Sequence, residues 1–445
     1  MVEMAMRVVV PSARRLNDAN VSVARRSQLE RWRPRRLARR RLAAEPPNPQ
    51  HSLVTRRRRK PPIRRRGRRR ASRRDASAPL RNAIATAAQR LAGALLFALI
   101  ATTSHAETFK FFGSAGAEWQ LTPANAASAL NPRNIAGLPY SNGSADAVAF
   151  LDAAPDSRAW KFHLKLRGDA AEGGAQRADI GEAFVQLNPR SWLDVTIGRV
   201  IEKWGTGYAW NPTAFVSPKK NPADPSDRRS ANIGGDMIRT DLFIRGTNVS
   251  LYALNDGAVA GRVYRLVAGT DISLHFRRDG DGIQQGISAA RVFGDALELH
   301  GEIARRHGLI GGQYTFRNSV NVVAELYHGG DGLDENAFRA FRSAADFAHD
   351  AKSFRAINAS YSPLRMARNY GFIRVDVPHD KIDVELIAIT NLRDGSLLAR
   401  ATLSLRVRAN VSIYAIDTEF AGARGSELSY MQVRRVTTAG ARVYF

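Results

Sequence analysis

Cysteine is absent from the 445-residue sequence. Its absence excludes disulfide frameworks, thiolate metal sites and cysteine nucleophiles, and it suits a chain that crosses an oxidising periplasm. Residues 107–445 also lack any run of about 20 apolar residues, so this part of the sequence predicts no membrane-spanning helix.

Catalytic motifs are missing as well. The nine histidines occur singly, and neither a His-Glu-x-x-His pair nor a Gly-x-Ser-x-Gly elbow is present. The one group that suggests an enzyme is Glu298, His300 and Glu302, which would serve an outer-membrane hydrolase beside a serine; a polar pore wall is the simpler interpretation. Two Asp-Gly segments near residues 279–282 and 331–335 lack the twelve-residue calcium-loop pattern, so we expect no catalytic residue, cofactor or metal.

Positive charge is concentrated at the front of the chain. The sequence has 67 Lys and Arg against 41 Asp and Glu, but residues 1–106 hold 27 of the basic and 5 of the acidic residues. Residues 1–80 are therefore predicted to be a disordered, arginine-rich extension. Two other interpretations stay open: a nucleic-acid-binding arm, which lacks an aromatic platform, or a stretch upstream of the true translation start. We expect no nucleic-acid partner.

Residues 81–106 have the layout of a secretory signal peptide. Arg81 and Arg90 provide the positive region, and Leu91 to Ala101 provide an apolar segment of suitable length. Ser104-His105-Ala106 then offers a small-x-small cleavage site.

From residue 107 onward the dominant hydrophobic period is two. In 159–168, Trp160 and Leu164 alternate with Lys161 and Lys165, and 396–408 alternates in the same way. Many segments of about ten alternating residues are typical of a membrane β-barrel, and a sheet in a bilayer must close. We therefore predict an all-β fold, a transmembrane antiparallel β-barrel of 16–20 strands, most consistent with 18, over residues 107–445.

The chain ends on Phe445, after a segment in which Ala439, Ala441 and Val443 alternate with polar or small residues. A strand that runs to a terminal aromatic residue is how Gram-negative outer-membrane barrels end. Phe445 is therefore interpreted as the signal for the barrel-assembly machinery.

Turn lengths indicate the topology. Short turns are predicted near 188–191, 245–248, 293–295, 317–318 and 391–395, and long loops over 200–237 and 329–352. Barrels of this class keep short turns on the periplasmic side and long loops outside. Both long loops fall on one side if a strand exists near 146–152, and residues 334–349 are expected to form a short helix inside a loop. The alternative is an α/β fold built on that helix.

One segment carries a family resemblance. It runs from Gly198-Arg199 through Trp204-Gly205 to Asn211-Pro212 and continues to Ile238. It resembles a loose group of Gram-negative outer-membrane barrel proteins with a "GR…WG…NP" element, which are mostly porin-like or uncharacterised. The resemblance implies a barrel of 14 to 18 strands that acts as a channel or exporter in the outer membrane.

Prolines at four positions stiffen this long loop, and two interpretations of it stay open. In the first, the loop folds inward as a constriction that favours anions. In the second, its aromatic residues belong to the girdle at the membrane edge, and its basic residues contact lipopolysaccharide phosphates. The candidate residues are Arg199, Lys203, Trp204, Gly205, Tyr208, Trp210, Asn211, Lys219, Lys220 and Arg228.

A row of basic side chains is predicted to face the lumen, together with acidic ones. The basic residues are Lys161, His163, Lys165, Arg167, Arg400, Arg406 and Arg408. We expect a channel for small hydrophilic solutes, with outer-membrane lipid, lipopolysaccharide and the barrel-assembly machinery as partners. The alternative is a closed barrel that binds surface polysaccharide or assists envelope assembly.

Overall fold

The computed structural model describes residues 108–155, 157–172, 174 and 176–445. The predicted extension over 1–80 and signal peptide over 81–106 lie outside the described residues. The strands are β1 (Thr108–Leu121), β2 (Ser141–Ala154), β3 (Trp160–Ala171), β4 (Arg177–Arg190), β5 (Leu193–Val200), β6 (Gly235–Ile244), β7 (Thr247–Leu254), β8 (Val259–Val267), β9 (Thr270–Asp279), β10 (Gly282–Phe293), β11 (Leu297–Ala304), β12 (His307–Thr315), β13 (Asn321–Gly329), β14 (Asn369–His379), β15 (Ile382–Asn391), β16 (Leu397–Arg408), β17 (Val411–Ala421) and β18 (Arg435–Tyr444).

These strands form one closed antiparallel barrel. Each strand pairs with its neighbour in sequence, and β18 pairs with β1. The closing register places Ser114 opposite Tyr444 and Leu121 opposite Thr437. The prediction of an 18-stranded barrel is therefore confirmed, and the α/β alternative is wrong. The strand expected near 146–152 is β2.

Phe445 extends the closing pair by one residue beyond β18. Its carbonyl accepts a hydrogen bond from the Gly113 N–H at 2.8 Å, and its own N–H donates to the Gly113 carbonyl at 3.1 Å. Its ring lies 5.6 Å from that of Phe111. A Cβ on Gly113 would lie 2.8 Å from the Phe445 ring, so glycine at that position lets the terminal ring pack against the seam.

The two faces of the barrel have opposite character. On β11, Leu299 and Ile303 are exposed, whereas His300 and Glu302 are buried. On β16, Leu403 is exposed and Thr402 is buried. A polar inside and an apolar outside reverse the arrangement of a soluble protein and match the lipid-facing surface of a transmembrane barrel. Among the described residues, no helix is both long and apolar enough to cross a bilayer.

Loop lengths differ between the two ends. At the side of the barrel where β1 begins and β18 finishes, the strands are joined by short turns such as 245–246, 268–269 and 409–410. The opposite side carries the long segments 201–234 and 330–368. The predicted turn at 391–395 is short, but it joins β15 to β16 and so lies at the end with the long loops. Turn length alone therefore misplaces it.

Three loops at that end pack together and form what we call the outer cap, residues 122–140, 330–368 and 422–434. Two helices lie in it, α1 (Glu335–Asp346), which confirms the predicted helix, and α2 (Ala351–Ser360), which was not predicted. Each begins at an aspartate whose side chain accepts hydrogen bonds from the first turn. The shared apolar cluster is Leu130, Phe338, Phe341, Ala345, Met366 and Tyr430.

Substitution of Leu403 tests the lipid-facing surface. Its side chain is 51% exposed near the middle of β16. Leu403→Arg should lower the free energy of unfolding in lipid vesicles by about 2–4 kcal/mol if this residue meets the bilayer core. Leu403→Ala is the control and should cost clearly less. Equal effects of the two substitutions would place Leu403 away from lipid.

Cysteine labelling tests which end faces outward, because the native chain has no cysteine. Ser343 in α1 and Ser191 in the β4–β5 turn are both exposed and lie at opposite ends. On intact cells, a membrane-impermeant maleimide should label Ser343→Cys and not Ser191→Cys, whereas lysed cells should label both. The reverse pattern on intact cells would place the end with the long loops on the periplasmic side, against the expectation from loop length.

Candidate functional site: a loop folded into the barrel lumen

The segment between β5 and β6, residues 201–234, lies inside the barrel, and we call it the lumen loop. Its residues contact inward-facing side chains on widely separated strands. The partners include Glu118 on β1, Arg277 on β9, Glu325 on β13 and Arg400 on β16. Because β1 and β9 lie on opposite sides of the ring, the lumen loop reaches across the lumen.

Glu302 on β11 is the first anchor of the lumen loop, and its side chain is almost completely buried. Its carboxylate accepts hydrogen bonds from the backbone N–H groups of Thr206, Gly207 at 2.7 Å and Thr213 at 2.9 Å. The hydroxyls of Thr206 and Thr213 donate to it as well, at 3.1 and 2.6 Å. Charge-assisted bonds of this kind are stronger than neutral ones, so one carboxylate fixes two turns of the loop.

Glu325 on β13 is the second anchor. It accepts hydrogen bonds from the N–H groups of Tyr208 and Ala209, the latter at 3.0 Å. His300 lies on the other side of this carboxylate, with its Nε2 3.1 Å from Glu325 Oε1, and its Nδ1 is 3.5 Å from Glu298. The buried carboxylates of the wall therefore find hydrogen-bond donors in the backbone N–H groups of the loop, and those N–H groups find acceptors in the carboxylates.

Two glycines make this close approach possible. Gly205 has a φ of +92°, and a Cβ there would lie 2.9 Å from the Glu302 carboxylate. A Cβ on Gly207 would lie 2.0 Å from the Trp210 carbonyl and 2.6 Å from Leu309. The Trp-Gly-Thr-Gly sequence is thus explained by the space between the loop and the wall.

The aromatic residues of the loop pack against the inner wall. The Trp210 ring stacks on Tyr327 with centroids 4.9 Å apart and on Tyr370 at 5.6 Å. Trp204 is 1% exposed and packs edge-on against Tyr252 at 5.3 Å. The girdle interpretation is therefore wrong for both tryptophans, since they are buried in the lumen.

Basic residues of the lumen loop are paired on the opposite wall. Arg228 and Arg229 both contact the carboxylate of Glu118, at 2.6 Å for Arg228. Tyr414 donates to the same carboxylate at 2.7 Å. Asp146, which lies beside this group, accepts two hydrogen bonds from Arg442 at 2.8 Å each, so the loop docks where β1, β2, β17 and β18 meet.

The other candidate residues of the loop differ in their surroundings. The Lys220 ammonium donates to the carbonyl of Tyr208 at 3.0 Å and to that of Gly207, and Asn211 donates to the Trp204 carbonyl at 3.4 Å. Tyr208 itself lies 5.1 Å beneath the Arg374 guanidinium, on the inner wall. These contacts stabilise the folded loop.

Three candidate residues remain near solvent. Arg199 makes a two-pronged ion pair with Asp236 at 2.7 and 2.9 Å. Lys203 and Lys219 are exposed, and neither has an ion-pair partner among the described residues. Lys203 and Lys219 are therefore the exposed lysines of the loop.

The predicted basic row divides into two groups. Lys165 donates to the Asn232 carbonyl at 3.0 Å, and Arg400 contacts Asp224 at 3.2 Å, so both hold the lumen loop. His163 lies between Asp152 and Glu182, and Arg167 pairs with Asp169 at 2.7 Å. Carboxylates therefore offset His163, Arg167 and Arg400, whereas Lys165 is held by a carbonyl oxygen.

The remaining members of the row behave differently. Lys161 is partly buried near the start of β3, whereas Arg406 and Arg408 are exposed near the short-turn end. A bulge between Arg406 and Arg408 breaks the alternation of β16. The prediction that Arg408 continues the inward row by simple alternation is therefore wrong.

The carboxylates that anchor the loop were not recognised as such from the sequence. The sequence places Glu302 on the lumen face, in a trio that suggests either a hydrolase or a polar pore wall, and it does not single out Glu325 or Glu118. The sequence feature that indicates an inward position for these glutamates is the alternation of the strand, since each is flanked on the same strand by outward apolar or small residues. In the structure the trio of Glu298, His300 and Glu302 supports the lumen loop.

Glu427 has a similar role in the outer cap. Its carboxylate accepts hydrogen bonds from the Tyr370 hydroxyl at 2.9 Å, the Asn391 amide at 2.7 Å and the Met366 N–H at 3.1 Å. Burial raises the pKa of Glu427 above its usual value, against the lowering effect of these hydrogen bonds. The cap loops and the inner wall are therefore tied at one buried group.

Comparison with known proteins gives structural similarity alone. No family model matches the chain, and no curated protein matches it. A triple mutant of the Rhodopseudomonas blastica porin is similar at a TM-score of 0.43 and 13% identity, over 76% of this chain and 100% of that one. Two Pseudomonas aeruginosa proteins are also similar: OccK5 has a TM-score of 0.46 and 10% identity over 76% and 98% of the two chains. OccD3 has a TM-score of 0.47 and 8% identity over 77% and 92%.

Substitution of Glu302 tests the anchor. In the native protein the Glu302 carboxylate accepts hydrogen bonds from N–H groups of the loop. Glu302→Gln places an amide NH₂ group, which is itself a donor, against some of these N–H groups. Each buried donor left unpaired costs about 1–3 kcal/mol. We expect the barrel to remain folded while trypsin cleaves faster at Lys219 and Lys220. Glu335→Gln, an exposed carboxylate on α1, is the matched control. Unchanged cleavage in Glu302→Gln would show that this carboxylate does not hold the loop.

Proposed function

We propose that the protein is a porin-like channel of the Gram-negative outer membrane that passes small hydrophilic solutes. The observation that carries this proposal is the polar inner wall of an 18-stranded barrel whose outer surface is apolar. Barrels of 16–18 strands are wide enough for an aqueous channel, and the lumen loop supplies a constriction of the kind that sets the size and charge of what passes.

The charge of the constriction favours a preference for anions. Lys203 and Lys219 are exposed on the lumen loop, whereas most other basic groups that face the lumen are paired. The proposed selectivity therefore comes from these two lysines more than from the strand row. The proposed partners are outer-membrane lipid and lipopolysaccharide, the barrel-assembly machinery, which would recognise Phe445, and the solutes themselves.

A second function is supported by the outer cap. Its three loops share an apolar cluster and are tied to the wall through Glu427, so this end of the barrel is a structured surface. Such a surface suits a closed barrel that binds surface polysaccharide or assists envelope assembly. The two functions differ in whether ions cross the barrel.

Single-channel recording in a planar bilayer with a salt gradient distinguishes them. The channel proposal expects discrete current steps with a reversal potential that favours anions. The double variant Lys203→Gln/Lys219→Gln should move this potential towards zero, whereas Lys352→Gln/Lys381→Gln, which removes two lysines outside the lumen loop, should not.

Two results would count against the proposal. A folded barrel that stays silent, even when Glu302→Gln has loosened the lumen loop, would favour the closed-barrel function. Current steps with the same reversal potential in both double variants would retain the channel and remove the role assigned to the two lysines.

A further inference from the structure

A second polar site lies outside the lumen, at the rim of the barrel. It is a pocket of about 500 Å³ between the β11–β12 hairpin and the first residues after β13. The polar lining residues are Arg305, Arg306, His307, His328 and Arg368. None of the residues that line this pocket belongs to the lumen loop.

The charges of the pocket are only partly compensated. Arg305 and Arg306 occupy the hairpin tip, are exposed and have no ion-pair partner among the described residues. Arg368 donates to the Gly332 carbonyl at 3.0 Å and has Asp334 at 3.9 Å. Since that last distance is long, the guanidinium groups retain donors that face the pocket.

The two histidines are held by neighbours on the same rim. His307 Nε2 lies 3.0 Å from Asp331, and its Nδ1 lies 3.3 Å from the Tyr327 hydroxyl. His328 Nδ1 lies 2.7 Å from the Asn369 side-chain oxygen. The only carboxylates near the pocket in these contacts are therefore Asp331 and Asp334, against three arginines.

The hairpin and the loop behind it fit closely. A Cβ added to Gly330 would lie 2.3 Å from the Cβ of Arg306, so only glycine lets the two backbones meet there. Arg305 has a φ of +54°, which fixes the hairpin tip. This packing brings arginines from two separate chain segments to one pocket.

The floor of the pocket belongs to the lipid-facing surface. Ile303 lines the pocket and is 63% exposed. Ile310 and Leu326, which face the same outer surface on β12 and β13, are also exposed. The site therefore lies at the edge of the apolar outer surface of the barrel, with exposed aliphatic side chains towards the middle of the barrel and guanidinium groups towards its rim.

We propose that this pocket binds a phosphorylated, acylated glycolipid of the outer leaflet, namely the lipid A part of lipopolysaccharide. Guanidinium groups bind phosphate oxygens in a two-pronged geometry, and the exposed isoleucine and leucine side chains accommodate acyl chains. A free phosphate would use the arginines but gain nothing from the apolar floor. The inference rests on the proposed orientation in the outer membrane and not on conduction.

Native mass spectrometry of the protein as purified from outer membranes tests this site. The probes are diphosphorylated lipid A, the same lipid after enzymatic dephosphorylation, and inorganic phosphate. Lipid A should bind roughly tenfold or more tightly than its dephosphorylated form, as expected for lost charge-assisted hydrogen bonds. The variant Arg305→Ser/Arg306→Ser/Arg368→Ser should abolish this difference.

The matched control removes three exposed arginines at the other end, Arg245→Ser/Arg265→Ser/Arg408→Ser, and should leave the difference unchanged. If the pocket variant does not fold, Arg305→Ser/Arg306→Ser keeps the Arg368 contact to Gly332 and should still reduce the difference. Equal binding of both lipids, or an equal loss in the control, would overturn the proposal. Displacement of lipid A by inorganic phosphate at matched concentration would also overturn it, in favour of a site for soluble anions.

Conductance separates this inference from the channel function. The pocket lies outside the lumen, so the triple variant should conduct as the native protein does. Loss of lipid A binding with normal conductance would locate the lipid site without affecting the channel. A silent native barrel that still prefers phosphorylated lipid would leave the lipid site in place and remove only the channel.

Discussion

The hydrogen-bonded closure of β18 onto β1 is the constraint on which the rest of the structure depends. In a bilayer, each unpaired backbone group costs several kcal/mol, so an open 18-stranded sheet would expose two unstable edges. Phe445 adds the last pair of this seam, with Gly113. Closure also determines which way the side chains face, because successive residues of each strand then point alternately to the lipid and to an enclosed space.

The enclosed space creates the second requirement, which concerns charge. Glu302, Glu325 and Glu118 are fixed on the inner wall and are almost completely buried. Removal of a carboxylate from water costs several kcal/mol unless hydrogen bonds or ion pairs compensate. The lumen loop supplies those partners through its backbone N–H groups and Arg228, and the wall in turn gives the loop one defined position. The loop and the wall therefore stabilise each other.

The sequence predicted what depends on local periodicity and failed where partners are distant. Alternation gave the class of fold and the number of strands, and the proline-rich segment was recognised as a structured loop. Its position required contacts such as that between Thr213 and Glu302, which are 89 residues apart. The turn at 391–395 was misplaced because length does not determine the end of the barrel, and Arg408 was misassigned because a bulge changes the phase of β16.

Ion pairs and hydrogen bonds of the inner wall determine which basic residues can contribute to charge selectivity. A row of basic residues along a strand suggests a positively charged wall, but Lys165 and Arg400 bind the lumen loop, while His163 and Arg167 are paired with carboxylates. A charge that is in direct contact with a carboxylate contributes little field at a distance. Lys203 and Lys219 are exposed on the loop and have no ion-pair partner among the described residues, so their charges are not compensated in this way. A loop whose position depends on two carboxylates thus also determines where the uncompensated positive charge lies.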